Sequence, residues 1–149
     1  MHNVLELFSN RVLICAVVSW FMAQFLKVPL YWMIEKKLDW RRFFESGGMP
    51  SSHSSFVVSL ALMVGFTEGF GTAAFAITFT LAAIVMYDAA GVRRETGTQA
   101  VVLNTLIRDL LIDGKPISDD KLKELIGHTP LEVGAGALLG IIITVLFLI

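Results

Sequence analysis

Four uncharged, largely apolar runs constrain this chain more than any other feature of its sequence. They cover residues 12–26, 54–67, 69–87 and 133–149. A membrane-spanning helix needs roughly 17–25 mostly apolar residues; the third and fourth runs reach that length alone, and the first and second reach it with their flanks. Any single run is also compatible with a buried helix of a soluble protein. Four of them in a chain of 149 residues leave too little polar sequence to cover them all.

The composition agrees with a membrane protein. Only 17% of the residues are charged and 55% are hydrophobic, whereas soluble domains carry about 25% charged residues. We therefore predict an all-α fold, an integral membrane helical bundle that forms a single domain with about four transmembrane helices plus short interfacial helices. The predicted spans are 9–27, 51–67, 69–90 and 130–149, joined by connectors 28–50 and 91–129. In the second connector, apolar residues at near-helical spacing from 101 to 111 predict a surface helix.

Positive charge is distributed unevenly between the two ends of these spans. Eleven of the twelve Lys and Arg residues fall in the connectors or at the span ends that face them. They are Lys27, Lys36, Lys37, Arg41, Arg42, Arg93, Arg94, Arg108, Lys115, Lys121 and Lys123. The positive-inside rule then places both connectors in the cytoplasm and both termini outside, unless the second span is re-entrant. The sequence has no basic tract of the kind that binds nucleic acid.

This topology gathers the polar residues that border the spans at one end of the bundle. Lys27, residues 51–53, residues 88–94 and residues 128–132 all fall on the connector face. The N–H groups and dipole of a helix N-terminus attract anions, and glycines precede the second span at Ser51. Phosphate is the natural ligand for such a terminus with cations nearby.

Two histidines beside a phosphate suggest a division of labour. One neutral imidazole attacks phosphorus and the other, protonated, donates to the leaving oxygen. Glu132 lies four residues after His128, which is one helical turn, so its carboxylate can reach that imidazole. Nitrogens of His53 and His128 roughly 6–8 Å apart would accommodate a phosphate between two contacts of about 3–3.5 Å. Rings more than about 12 Å apart would contradict catalysis by the pair.

Short motifs around these residues resemble a known family. The sequence PSSH at 50–53 resembles the second signature of the type 2 phosphatidic acid phosphatase superfamily, and HTPLE at 128–132 resembles the end of its third. More closely, GGMPSSHS, YDAAGVRR, GTQAVVLN and GHTPLEV together resemble the divergent type 2 phosphatidic acid phosphatase-related membrane family over nearly the whole chain.

The resemblance implies a helical membrane phosphatase that hydrolyses a lipid phosphate or pyrophosphate ester without a metal or other cofactor. It implies His128 as the nucleophile, His53 as the general acid and Glu132 as the acid that orients His128. The expected partners are a phosphorylated lipid substrate and membrane lipids, and a homo-oligomer is left open. Two other functions are also considered: a non-catalytic binder or carrier of phosphorylated lipid, and a structural membrane protein.

The chain departs from the superfamily signatures at several positions that would bind phosphate. Lys27 matches the first signature, but Ile34 stands where an arginine is expected, and Leu122 replaces the arginine of the third. Ser52 and Glu132 stand where the signatures have Gly and Asp. The candidate substrate-binding residues are therefore Lys27, Ser51, Ser52, Arg93, Arg94 and Asp88. Arg93 or Arg94 is inferred to replace the arginine missing from the third signature. Arg41 or Arg42 is a candidate to replace the Arg-Pro pair missing from the first.

Each of these residues also has a purely structural interpretation. His53 can sit at the interface and bond to lipid headgroups, and Asp88 can simply pair with a nearby cation. Thr129, Pro130 and Glu132 form a good helix start with a capping box, a role that does not exclude catalysis. Basic residues between 36 and 42 suit a lipid-facing stripe, and the GxxxG at 136–140 suits helix packing.

Overall fold

The structure, a computed structural model, describes residues 2–44, 47–91, 99, 103 and 128–149. Its helices are α1 (His2–Ser9), α2 (Arg11–Glu35), a short 3-10 helix (Trp40–Phe43), α3 (Ser52–Glu68), α4 (Ala73–Ala90) and α5 (Pro130–Leu148). The predicted surface helix between 101 and 111 lies outside the described residues apart from one position, Leu103. The predicted all-α membrane bundle is confirmed for the part of the chain that the structure describes.

Three of these helices, α2, α4 and α5, are long and apolar enough to cross a membrane. The remaining predicted span, 51–67, corresponds to α3, whose 17 residues extend about 26 Å, less than the roughly 30 Å of a hydrocarbon core. This helix contacts α2, α4 and α5. Its apolar and small side chains therefore face protein on several sides, which allows a shorter and more polar helix at the centre of the bundle.

Helix α2 is longer than the sequence predicted. Asn10 caps its start by accepting a hydrogen bond from the backbone N–H of Leu13 (3.1 Å), and the helix ends at Glu35, where Lys36 adopts a left-handed conformation (φ 56°). The predicted span ended at Lys27 because a charge marks the edge of an apolar run. Lys27 is instead only 3% exposed inside the bundle, so the helix continues for eight more residues and passes through Pro29.

Small residues bring α3 close to both α2 and α5. The hydroxyls of Ser19 and Ser55 lie 2.6 Å apart, and each also lies within 3.2 Å of the other residue's backbone carbonyl. On α5, Gly136 rests against the carbonyl of Ser51, and a Cβ on Gly140 would lie 2.7 Å from the carbonyl oxygen of Ser55. The GxxxG pair is thus a packing surface for α3, as its sequence indicated.

The two ends of the bundle are joined by specific polar contacts. At one end, Arg11 Nη2 donates to the carbonyl of Phe147 (3.1 Å), which links the start of α2 to the end of α5. At the other end, the backbone N–H of Ser51 donates to the carbonyl of Glu132 (3.0 Å). The starts of α3 and α5 are therefore held side by side, and the candidate site lies at this end.

Candidate functional site

The start of α3 positions His53. Gly48 precedes it with φ +88°, a conformation that residues with a side chain rarely adopt. Ser51 is the N-cap, and its hydroxyl accepts hydrogen bonds from the backbone N–H and the hydroxyl of Ser54 (3.4 and 3.0 Å). These contacts fix the first turn, which places His53 half-buried beside α5.

The start of α5 positions His128 through a capping box. Thr129 is the N-cap: its hydroxyl accepts from the backbone N–H of Glu132 (3.3 Å), and Glu132 Oε2 accepts from the backbone N–H of Thr129 (3.0 Å). The same carboxylate oxygen lies 3.1 Å from His128 Nδ1. One oxygen therefore contacts both the N–H of the helix cap and the histidine, so the capping role of Glu132 is compatible with its contact with His128.

The two imidazoles are neighbours. Their ring centroids lie 6.1 Å apart with an interplanar angle of 60°, well inside the limit of about 12 Å set by near-attack geometry. The hydrogen bond between Ser51 and the Glu132 carbonyl and the close approach of Gly136 to Ser51 hold the two helix starts together. Residues 75 positions apart in sequence thus form one pair.

The Glu132 contact also determines which nitrogen of His128 can act as a base. An ionised carboxylate only accepts hydrogen bonds, so Nδ1 carries the proton in the Glu132 pair and Nε2 carries the lone pair. His128 is 1% exposed, whereas the Glu132 side chain is 22% exposed. The carboxylate is therefore the more accessible member of this pair.

A cavity of about 190 Å³ adjoins the histidines on the Glu132 side. Its lining combines two cations, two acids, one tyrosine, two glycines and three apolar residues. They are Lys27, Arg42, Glu35, Glu132, Tyr31, Gly47, Gly48, Leu30, Ile34 and Met49. Among these described lining residues neither imidazole appears, so the cavity lies beside the pair and meets it at Glu132.

Arg42 enters this cavity from the 3-10 helix. Asp39 caps that helix by accepting from the backbone N–H of Arg41 (3.0 Å), which turns the chain back beneath the end of α2. The guanidinium carbon of Arg42 then lies 4.2 Å from the ring centroid of Tyr31, within the range of a cation–π interaction. Arg41, its neighbour, is exposed and does not line the cavity.

Comparison with known proteins shows the family of the chain. A model of the family described as the divergent PAP2 family matches residues 8–143. The chain belongs to this family. It is also 39% identical over 150 residues to the uncharacterized membrane protein YuiD of Bacillus subtilis (strain 168), a match that covers 94% of this chain and 95% of that protein. No solved structure matches the chain.

Five other site residues were predicted for this divergent PAP2 protein, and the structure describes three of them: Ser51, Ser52 and Asp88. Ser51 and Ser52 are buried, and the Ser51 hydroxyl is engaged in the α3 cap. Asp88 is half-buried in the last turn of α4, and within the described part of the chain it forms no ion pair with Lys27. Arg93 and Arg94 lie outside the described residues, so the role predicted for them stays a prediction.

Of the two cations that line the described cavity, Arg42 is the one that is not among the candidate site residues predicted from the sequence. It follows Lys27 by fifteen residues, which matches no spacing of the superfamily signatures. The signal in the sequence was chemical: Arg42 is a basic residue near the membrane interface and, with Arg41, a candidate to replace the Arg-Pro pair missing from the first signature. Its position depends on how residues 36–44 fold back against α2, which hydropathy does not encode.

Proposed function

We propose that this membrane protein is a phosphatase that hydrolyses a lipid-linked phosphate or pyrophosphate through a phosphohistidine, at a site on the cytoplasmic face. The observation that carries the proposal is that His128 lies 3.1 Å from a carboxylate oxygen of Glu132 and has the ring of His53 as a neighbour (6.1 Å between centroids). A nucleophile beside an orienting acid and a second titratable group is the arrangement that acid–base and covalent catalysis require. Membership of the divergent PAP2 family supports the phosphatase class.

In this mechanism, the lone pair of His128 Nε2 forms a bond to phosphorus as the ester bond to the lipid oxygen breaks. Protonated His53 supplies the proton that the leaving oxygen needs. Water then attacks the phosphohistidine, the P–N bond breaks, and inorganic phosphate is released while His53, now neutral, accepts the proton from water. Glu132 stabilises the charge that His128 acquires and holds its ring in position.

Lys27 supports the proposal from the cavity. It is 3% exposed and lies on α2 beside the glycines that precede α3. A phosphate in the cavity would offer several acceptor oxygens to the ammonium group of this lysine. The cytoplasmic assignment follows the eleven-to-one distribution of basic residues.

Phosphate release from purified protein in detergent tests the function. We expect release from at least one lipid phosphate or pyrophosphate, its abolition by His128→Ala, and a loss of about 10²- to 10⁴-fold with His53→Ala, the range for a lost general acid. His2→Ala is the matched control, since His2 lies in α1 and outside the pair. An acid-labile phosphoryl group on wild-type protein, missing from His128→Ala, identifies the intermediate. No release from a broad panel of lipids would exclude the enzyme.

One observation favours a second function, a non-catalytic binder of phosphorylated lipid. His128 is 1% exposed, and the described cavity is lined by Lys27 and Arg42 rather than by the imidazoles. A binder of this kind releases no phosphate. It keeps its affinity for lipid phosphate in His128→Ala and loses it in Lys27→Ala, so the two variants separate binding from catalysis.

A further inference from the structure

A second cavity, of about 220 Å³, lies along the end of α2 and shares none of its described lining residues with the cavity beside Glu132. Its described lining is entirely aromatic or aliphatic and consists of Phe25, Val28, Pro29, Trp32, Leu38 and Trp40. We call it the α2 groove. Val28, at its floor, is buried, whereas Phe25, Trp32, Leu38 and Trp40 are each more than half exposed. The groove is therefore open to the surroundings of the protein.

The return of the chain after α2 forms the outer wall of this groove. Lys36 adopts a left-handed conformation, and its backbone N–H donates to the carbonyl of Trp32 (3.0 Å), which ends the helix. Asp39 then caps the 3-10 helix, which packs against α2. The segment from Leu38 to Trp40 is thereby placed beside Trp32, and an apolar space is enclosed between them.

The two cavities use nearly opposite faces of α2. Successive residues of an α-helix are rotated by about 100°, so residues three or four apart share a face. The cavity beside Glu132 uses the face that carries Lys27, Leu30, Tyr31 and Ile34. The α2 groove uses the face that carries Phe25, Val28, Pro29 and Trp32. A molecule in the groove is therefore separated from the histidine pair by the body of α2.

The length of α2 places the groove at the edge of the membrane. Its 25 residues extend about 37 Å, more than the roughly 30 Å of a hydrocarbon core. With Arg11 at one boundary, the core ends about 20 residues later, near Tyr31. Phe25 then lies at the depth of the acyl chains. Trp32 and Trp40 lie at the level of the headgroups, where tryptophan is enriched.

Exposed cations follow directly after the groove. Lys36, Lys37 and Arg41 are all exposed, and no ion pair between described residues involves any of the three. The two nearest carboxylates have other contacts: Asp39 accepts from the backbone N–H of Arg41 (3.0 Å), and Glu35 lines the cavity on the other face. Cations at the headgroup level, beside an apolar groove that continues into the membrane, are complementary to an anionic lipid.

We propose that the α2 groove binds one acyl chain of an anionic phospholipid of the surrounding membrane, and that Lys36, Lys37 and Arg41 bind its phosphate-containing headgroup. The lipid comes from the leaflet on the side of the connectors, where these three cations lie. It is a bound membrane component and not the substrate, because the histidines lie beyond the opposite face of α2. The proposal does not depend on the proposed phosphatase function.

Quenching of tryptophan fluorescence by phospholipids brominated on an acyl chain tests the proposal. The chain has three tryptophans, and Trp20→Phe leaves Trp32 and Trp40, both in the groove, as the reporters. Brominated phosphatidylglycerol or brominated phosphatidylcholine is titrated into this full-length variant in a nonionic detergent. We expect half-maximal quenching at an at least 5-fold lower mole fraction of phosphatidylglycerol, about the ratio that one juxtamembrane cation gives. Equal mole fractions for the two lipids would overturn the proposal.

Charge variants separate a headgroup site from general attraction to a basic protein. Replacing Lys36, Lys37 and Arg41 together by Gln should bring the ratio of the two mole fractions to about one. Arg11→Gln removes a cation at the opposite end of α2 and should keep the ratio of the parent protein. A preference for phosphatidylglycerol that survives the triple change, or that Arg11→Gln reduces equally, contradicts the headgroup assignment.

A pair of leucine variants tests the groove itself. Leu38→Gln places a polar amide in the groove wall and should raise the mole fraction of phosphatidylglycerol for half-maximal quenching about 3-fold or more, because a partly buried apolar contact is lost. Leu131→Gln makes the same change at a 73% exposed position outside the described groove lining and should have no effect. Equal mole fractions for the two variants would show that the acyl chain does not bind in the groove. Neither outcome depends on whether the protein releases phosphate from any lipid.

Discussion

The contact between α3 and α5 offers the sharpest test of how the histidine pair is held. A Cβ added at Gly136 would collide with the carbonyl oxygen of Ser51, the N-cap of the helix that carries His53. The helices α3 and α5, which are in close contact at Gly136, would have to move apart at the level of the site. Gly136→Ala is therefore expected to perturb both the stability of the bundle and the geometry of the pair.

Gly134 provides a matched control on the same helix. A Cβ at Gly134 meets no atom within 4 Å, so Gly134→Ala makes the same chemical change in open space. Both substitutions gain helix propensity of about 1 kcal/mol, and this gain cancels when the two variants are compared. The difference left is the overpacking cost at Gly136, about 1–3 kcal/mol of unfolding free energy.

Two measurements on the pair of variants test this reasoning. Unfolding by SDS titration should show Gly136→Ala less stable than Gly134→Ala by that amount. Phosphate release should fall in Gly136→Ala by about 10²-fold if the imidazoles separate by about 1 Å, and should be retained in Gly134→Ala. Equal unfolding free energies for the two alanine variants would show that α3 and α5 do not meet at Gly136, and the packing account of the site would be wrong.

Three further predictions follow from individual contacts. Glu132→Gln should lower phosphate release by about 10²-fold or more because the amide cannot stabilise a charged His128 as a carboxylate does. Glu6→Gln, at an exposed position, is the control, and equal rates would remove Glu132 from catalysis. Ser19→Ala should cost about 0.6–1.7 kcal/mol in SDS unfolding, the range for buried hydroxyl bonds between membrane helices, whereas Ser9→Ala, at an exposed position, should cost almost nothing. Phosphate release should show a bell-shaped dependence on pH because one imidazole must be neutral and the other protonated, and His53→Ala should remove the limb that reports the acid.

The pattern of apolar runs was sufficient to predict the class of fold and that the two histidines meet at one end of the bundle. Uncharged runs must be covered by lipid or by one another, and this requirement leaves the chain few possible arrangements. In an arrangement of alternating spans, His53 and His128 lie at the same end. The distance between the rings, 6.1 Å, depends instead on Gly136 and on the hydrogen bond from Ser51 to the Glu132 carbonyl. These contacts can be predicted only when it is already known which helices are neighbours.

The end of α2 shows where the same reasoning stops. A lysine at the edge of an apolar run normally marks a membrane boundary, but Lys27 is buried against protein and the helix continues to Glu35. This extension forms one wall of the cavity, and the returning 3-10 helix brings Arg42 to it. Neither the extension of α2 nor the return of the 3-10 helix produces a periodic pattern in the sequence. The cavity therefore could not be predicted, even though the histidine pair beside it could.

The departure of Glu132 from the superfamily pattern has a physical explanation in the capping box. A carboxylate at the third helical position must reach back to the N–H of the N-cap residue, and Glu is the acidic residue that does so in capping boxes. The extra methylene lets Oε2 approach both the N–H of Thr129 (3.0 Å) and Nδ1 of His128 (3.1 Å). The position of the proposed nucleophile is thereby coupled to the folding of the first turn of α5. A change that loosens this turn should therefore reduce the reactivity of His128 before it unfolds the bundle.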